Sequence, residues 1–250
     1  MRRAIALANQ KGGVAKTTSA LGLAAALTER GRSVLAIDLD PQAALTYSMG
    51  IEPDDLTETV NDVLVRQVPI TSVVASREVD LVPSNIDLAG AEALLLAKSG
   101  REFALERALR DVDGYDYLLI DCPPSLGILT INGLTAAGEV LIPLQCEALS
   151  HRGVGQLLET LEDIRHFTNP TLTLLGLLPT MFDGRTRHSR EVLADVGVRY
   201  GVQVLDPPIR KSIKFAESVR AGKSILAYSP THPGADDYRS IAAQVDGPAA

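Results

Sequence analysis

Asn9-Gln10-Lys11-Gly12-Gly13-Val14-Ala15-Lys16-Thr17-Thr18 is the stretch on which the fold turns. An apolar run, Ala4-Ile5-Ala6-Leu7-Ala8, precedes it, and Ser19 to Leu27, rich in Ala and Leu and of helical length, follows. Strand, glycine-bearing loop and helix is the context that a phosphate-binding loop requires. Backbone N–H groups of such a loop and the first-turn donors of its helix converge on one spot and bind an anion there. Lys16 then supplies a point charge to the β- and γ-phosphates, and the Thr17 hydroxyl a ligand for Mg²⁺. The ordinary pattern, G-x-x-x-x-G-K-[ST], fails twice, with Gln10 and Ala15 in place of its glycines. A helix entry with incidental lysines is the plainer alternative. If position 15 needs a positive φ, its Cβ costs of order 1 kcal/mol.

The chain of 250 residues, 46% hydrophobic, is long enough to bury one sizeable core, so a single domain over 1–250 is expected. No apolar run reaches the roughly 18 residues that span a bilayer. Met1-Arg2-Arg3 leads straight into the first strand without a signal-peptide pattern, which predicts a cytoplasmic protein. Cys122 and Cys146 lack C-x-x-C spacing and sit in apolar surroundings, as buried structural thiols do. A net charge of −7 argues against a surface uniformly attractive to nucleic acid. Its distribution is uneven: residues 210–223 hold five cations and one anion.

Strand-like and helix-like segments alternate along the chain. Strands are expected at Ser33–Ile37, Val79–Pro83, Tyr117–Asp121, Val140–Leu144 and Leu172–Leu178, with a short one at Val202–Leu205. Helices are expected at about 87–97, 101–111, 152–167, 187–200 and 235–245, and at least one short helix between Ile51 and Ser76. Runs apolar on both faces, alternating with helices, predict an α/β fold with a mostly parallel twisted sheet covered on both sides. Ligands of such sheets bind at the carboxyl ends of the strands.

Two of those strands end in acids. Asp121 closes Tyr117-Leu118-Leu119-Ile120, and Asp38-Leu39-Asp40-Pro41-Gln42 closes the strand before it. With Lys11, the loop becomes K-G-G-x-x-K-T-T and resembles the deviant Walker A loop of the ParA/MinD superfamily of P-loop ATPases. In that family the first lysine, here Lys11, reaches the nucleotide of the other subunit in a dimer. The resemblance makes Gly12, Gly13, Val14, Ala15, Lys16, Thr17 and Thr18 nucleotide contacts. Asp40 matches the aspartate that positions the attacking water and supports Mg²⁺ ligation, and Asp121-Cys122-Pro123-Pro124 matches the D-x-P-P of switch II. It implies ATP and Mg²⁺ as cofactors, Lys11, Lys16 and Asp40 as catalytic groups, and Thr17, Asp40 and Asp121 as metal ligands. Phosphoryl transfer is mainly positioning and charge stabilisation, so this set suffices in principle.

From residue 3 to about 243 the motifs are similar to those of ParA/Soj chromosome-partitioning ATPases. Thr180-Met181-Phe182 and the turn Pro207-Pro208-Ile209-Arg210-Lys211 match segments near the family's adenine, which makes Met181, Pro208 and Arg210 base contacts. The turn's proline is displaced relative to the family's I-P-R. The family's A-E-A-P reads Ala216-Glu217-Ser218-Val219 here. Lys211, Lys214 and Arg220 fall three and six residues apart on a helix-like stretch, close to one face. A row of cations without aromatics suits contacts to phosphate and binding without sequence preference. Lys214 stands where ParA/Soj proteins place a DNA-contacting arginine; Arg185, with Arg187 and Arg190, forms a second cluster. A solvated stripe is the alternative.

MinD-like relatives end in an amphipathic membrane helix, whereas this chain closes on Gln244-Val245-Asp246-Gly247-Pro248-Ala249-Ala250, which disfavours a membrane. Eight residues before Asn9 leave no room for an operator-reading extension. The resemblance thus implies a nucleoid-associated ATPase that dimerises on Mg-ATP, binds double-stranded DNA non-specifically, and is stimulated by a ParB-like partner. Alternatives are a related ATPase positioning another cargo and a nucleotide-binding scaffold with little turnover.

Overall fold

The computed structural model describes residues 2–145, 150–185, 195 and 197–247. Seven strands form one sheet, in spatial order β3-β4-β2-β5-β1-β6-β7. They are β1 (Arg3–Leu7), β2 (Val34–Asp38), β3 (Ala75–Ser76), β4 (Asp80–Val82), β5 (Tyr117–Asp121), β6 (Glu139–Gln145) and β7 (Thr173–Thr180). Every pairing is parallel except that of the two-residue edge strand β3 with β4. Helices α1 (Lys16–Glu29), α2 (Ala44–Ser48), α3 (Val60–Arg66), α4 (Leu88–Leu96), α5 (Ala104–Ala108), α6 (Ile128–Ala136) and α7 (Ser150–Phe167) connect them. Three more, α8 (Lys214–Arg220), α9 (Ile225–Tyr228) and α10 (Pro233–Asp246), follow β7.

Why both faces must be covered is visible in the alternation along the strands. Leu35, Ile37, Leu118 and Ile120 belong to one apolar cluster with residues of α3 to α7. Their neighbours Val34, Ala36, Tyr117 and Leu119 belong to a second, with residues of α1, α2, α9 and α10. Period-2 side chains on a sheet apolar on both sides produce two cores from one set of strands. α1 lies so close to α10 that a Cβ on Gly22 would stand 2.6 Å from the Tyr238 ring.

The expected strands recur with ends shifted by a few residues, apart from Val202–Leu205, which contributes a single bridge from Val204 to Leu177. Most of the helix expected at 187–200 lies outside the described residues, as do Cys146, Arg187 and Arg190. Three helices were not expected, α2, α6 and α9. α6 reads Ile-Leu-Thr-Ile-Asn-Gly-Leu-Thr-Ala, poor in strong helix formers. Tertiary contacts hold it instead: buried Asn132 accepts from the Leu105 amide at 3.1 Å and donates to the Arg101 and Ile128 carbonyls.

Register sets the site. Leu7 of β1 and Asp38 of β2 both stand opposite Asp121 of β5, so three adjacent strands end at one level. The loop after β1 and the acids after β2 and β5 therefore meet above the sheet.

Candidate nucleotide site

The loop between β1 and α1 is held from below by buried side chains. Asn9 donates to the Pro143 carbonyl at 2.7 Å and accepts from the Lys11 amide at 3.0 Å. Thr180, at the end of β7, donates to the Val14 carbonyl at 3.0 Å. Gly13 takes φ +74°, and Ala15, the N-cap of α1, takes φ 62° and ψ 35° in the left-handed region. Position 15 thus does need a positive φ. No side chain caps α1 and its first turn carries no acid, which leaves that helix end to an anion.

Lys16 is 7% exposed and donates to the Lys11 carbonyl at 3.4 Å. Burial lowers its pKa, opposed by the charge of Asp121 nearby. Asp121 is itself buried, and burial, then its neighbour Asp38, pushes its carboxyl well above the usual range. The Thr17 hydroxyl and Lys16 pull in the other direction. Neither oxygen of Asp121 completes a hydrogen bond, and among the described residues these are the only buried side-chain oxygens or nitrogens left so. An orphaned buried carboxylate is costly, and its place here fits a cation with bound waters. Mg²⁺ is held by one or two carboxylates together with waters and substrate phosphates. Thr17, Asp121 and half-buried Asp40 are the oxygen donors at hand.

Asp38 is fully buried, its carboxyl pushed up to about 6 by burial against the hydrogen bonds it accepts from Thr46. Asp40 accepts from the Gln42 amide at 2.9 Å. Cys122 is buried beside this acid group, and burial drives its thiol pKa far up.

Along the loop a cleft of about 290 Å³ opens, lined by Ala15 and Thr18, by Met181, and by residues of the turn and of α8. Phe215, Ala216, Val219 and Tyr238 give it apolar walls that suit a planar base. Of the expected base contacts, Met181 and Arg210 line it, and Pro208 does not. Arg210 grips buried Asp237 with two side-chain bonds of 2.7 Å. The turn is tied to β7: the Ile209 amide donates to the Pro179 carbonyl, and the Lys211 amide to that of Phe182.

Those ties correct the reading of the cations. Lys211 is not on a helix with Lys214 and Arg220. Its amide is held in an extended pairing, α8 begins only at Lys214, and Lys211 lies on the rim of the cleft. Lys214 pairs with Glu217 at 2.7 Å and sits 5.8 Å from the Tyr228 ring centroid. Arg220 ends α8 and is exposed, and Arg185 pairs with Asp183 at 2.9 Å. Asp237 and Tyr238 were missed in the sequence: no motif marks them, and only their buried place on α10 shows their contact with the site. Tyr238 reaches Ser19 of α1 at 3.3 Å.

A protein-family profile described as "AAA domain" matches residues 2–174. The chain is similar to the sporulation initiation inhibitor protein Soj of Bacillus subtilis, 41% identical over 98% of both chains. It is similar to the chromosome partitioning protein ParA of Myxococcus xanthus, 40% identical over 96% of this chain and 86% of that one. Its fold is similar to a crystal structure described as cobyrinic acid a,c-diamide synthase from Mycobacterium smegmatis with bound ATP analog and magnesium. That match has TM-score 0.87 and 51% identity over 97% of this chain and 93% of the other.

Proposed function

The chain belongs to the ParA/Soj family of P-loop ATPases, and we propose that it hydrolyses Mg-ATP slowly, dimerises on it, and binds DNA without sequence preference. In this reading residues 1–250 act as one ATPase domain, in the cytoplasm and on the nucleoid, and a ParB-like partner stimulates hydrolysis. The observation that carries it is Asp121, a buried carboxylate with both oxygens unpartnered, next to Lys16 and the Thr17 hydroxyl at the mouth of the phosphate loop.

In this reading each residue has a task. The loop amides and the uncapped end of α1 receive the phosphates, and Lys16 moves from the Lys11 carbonyl onto them. Bound Mg²⁺, taken by Thr17, Asp121 and Asp40, supplies neutralisation of developing charge on the phosphate oxygens. Asp40 orients the attacking water. Lys11 serves the nucleotide of a second copy. Met181, Phe215 and Val219 enclose the base, with Arg210 held in place by Asp237. Among the described residues no helix is long and apolar enough to cross a membrane, and Lys214 and Arg220 present charge suited to phosphates.

The name of the Mycobacterium smegmatis structure favours a second reading, an ATP-dependent amide-forming synthase. Taking nitrogen from glutamine needs an accessible nucleophile such as a thiolate. Cys122 is 1% exposed with its thiol held protonated, which opposes that chemistry; Cys146 lies outside the described residues. Salt titration of DNA binding tests the preferred reading. The log–log slope is about −0.9 per phosphate neutralised, so pairing two copies on ATP roughly doubles it. Lys214→Glu should weaken binding to every sequence alike and leave ATP-driven dimerisation intact. DNA binding indifferent to both ATP and Lys214 would reduce the cations to a solvated stripe.

A further inference from the structure

Asp40 lies between β2 and α2, in a five-residue connection where Ala43 takes φ 51°. No strand ladder holds its peptide. A local turn does in part, the Asp40 carbonyl accepting from the Ala43 amide at 2.9 Å, and a chain of hydrogen bonds that closes on itself completes the hold. The Asp40 amide donates to Asp38 Oδ1 at 3.1 Å. The other Asp38 oxygen accepts from the Thr46 amide at 2.9 Å and from the Thr46 hydroxyl at 2.8 Å. Thr46 Oγ1 in turn accepts from the Ser84 amide at 2.9 Å, and the Ser84 hydroxyl donates to the Asp40 carbonyl at 2.9 Å. The circuit leaves Asp40 by its N–H and returns to it by its C=O. Asp38, Thr46 and Ser84 are all fully buried.

We propose that Thr46 and Ser84 are positioning residues for Asp40, fixing its peptide from both sides so that its carboxylate is aimed before nucleotide arrives. Three segments distant in sequence must agree for this: the end of β2, the first turns of α2, and the link from β4 to α4. Only a hydroxyl can fill position 46, because it donates to a carboxylate and accepts an amide at once. Displacing a reacting group by an ångström costs turnover far more than binding, since the contact it serves is made at the moment of reaction. The inference rests on the reading of Asp40 as the residue that orients water, and the experiment separates the two.

Thr46→Val keeps the shape and removes the hydroxyl, Thr46→Ser restores it, and Ser84→Ala cuts the circuit at its mildest point should Thr46→Val fold poorly. Each is compared with wild type and Asp40→Ala in steady-state ATP hydrolysis, in Kd for a non-hydrolysable ATP analogue, and in amide exchange at Asp40 by NMR. Thr46→Val and Ser84→Ala should lose at least tenfold in kcat, hold Kd within twofold, and expose the Asp40 amide to faster exchange. Thr46→Ser should return all three to wild type, which a merely structural defect would not require. Wild-type kcat in Thr46→Val or Ser84→Ala beside an inactive Asp40→Ala overturns the circuit alone. Full turnover in Asp40→Ala removes the role of Asp40 and the positioning claim with it.

Discussion

Replacing Ala15 by glycine tests whether the departure from the usual loop matters for folding or for binding. Ala15 sits at φ 62°. A Cβ in the left-handed region costs roughly 1–2 kcal/mol. Glycine removes that cost but gives the unfolded chain about 0.4–1 kcal/mol of extra freedom. The half-buried methyl also leaves the cleft wall, worth at most about half of the roughly 0.8 kcal/mol of a fully buried CH₂. The balance is a stabilisation near 0.5 kcal/mol, and at about 2–4 °C per kcal/mol for a chain of this size, Tm should rise by about 1–2 °C. If nucleotide leaves that φ unchanged the strain cancels in affinity, and Kd for ADP should stay within about twofold, or roughly 0.4 kcal/mol. Gly13→Ala is the matched control. Gly13 has φ +74° with no atom within 4 Å of an added Cβ, so conformation alone is tested, and Tm should fall by a similar amount. Calorimetry on both proteins, free and with Mg-ADP, decides it. An Ala15→Gly protein that melts more than about 2 °C lower, or binds ADP fivefold differently, would show that the methyl acts as a contact and that strain is not the governing effect.

Lys16→Ala should abolish ATP binding, because a buried ammonium beside Asp121 is the loop's own charge for the phosphates; retained binding by calorimetry would refute that placement. Lys11→Ala should still bind ATP but remain a monomer, and light scattering that shows a normal ATP-dependent dimer would count against a lysine acting on the second copy's nucleotide. Gly22→Ala drives a Cβ to within 2.6 Å of the Tyr238 ring, which is fully buried and has no room to retreat. Overpacking of this kind costs about 1–3 kcal/mol, more than the 0.5–1 kcal/mol that alanine returns within a helix, so a clear drop in Tm is expected. An unchanged melting curve would mean that α1 and α10 slide apart freely.

How much of this was legible before the fold depended on whether function lay in local pattern or in packing. Lys16, Thr17, Asp40 and Asp121 were legible because a phosphate loop and strand-ending acids are contiguous, and register brings them together with no further information. The left-handed φ at position 15 was equally foreseeable from the glycine that usually stands there. By contrast α6 is a helix only because Asn132 and its apolar residues are buried, so its local preference pointed elsewhere. Spacing alone put Lys211 in line with Lys214; a backbone pairing to Phe182, separated by 29 positions, moved it to the cleft. Asp237 has the sequence look of a first-turn helical acid, and only the fold brings Arg210 to it.

The two ends of the candidate nucleotide site both border α8, which would give the proposed ATP dependence of the basic face a physical route. At the base end, Phe215, Ala216 and Val219 of α8 line the cleft, while Lys214 and Arg220 belong to the same seven-residue helix. At the phosphate end, the connection carrying Asp40 runs through α2 to Gly50, which meets Gly222 just past α8. There the backbones are so close that a Cβ on Gly222 would stand 2.7 Å from the Gly50 Cα. Gly50 at φ +70° and Gly222 at φ +63° both take the conformation that side chains resist, so the contact is one of main chain against main chain. No flexible side chain stands between the two elements at that junction. Under the proposed function, a nucleotide that filled the cleft and engaged Asp40 would bear on α8 from both sides. Under the proposed function, Lys214, paired with Glu217 and near Tyr228, is the cation on that helix whose presentation a movement of α8 would change.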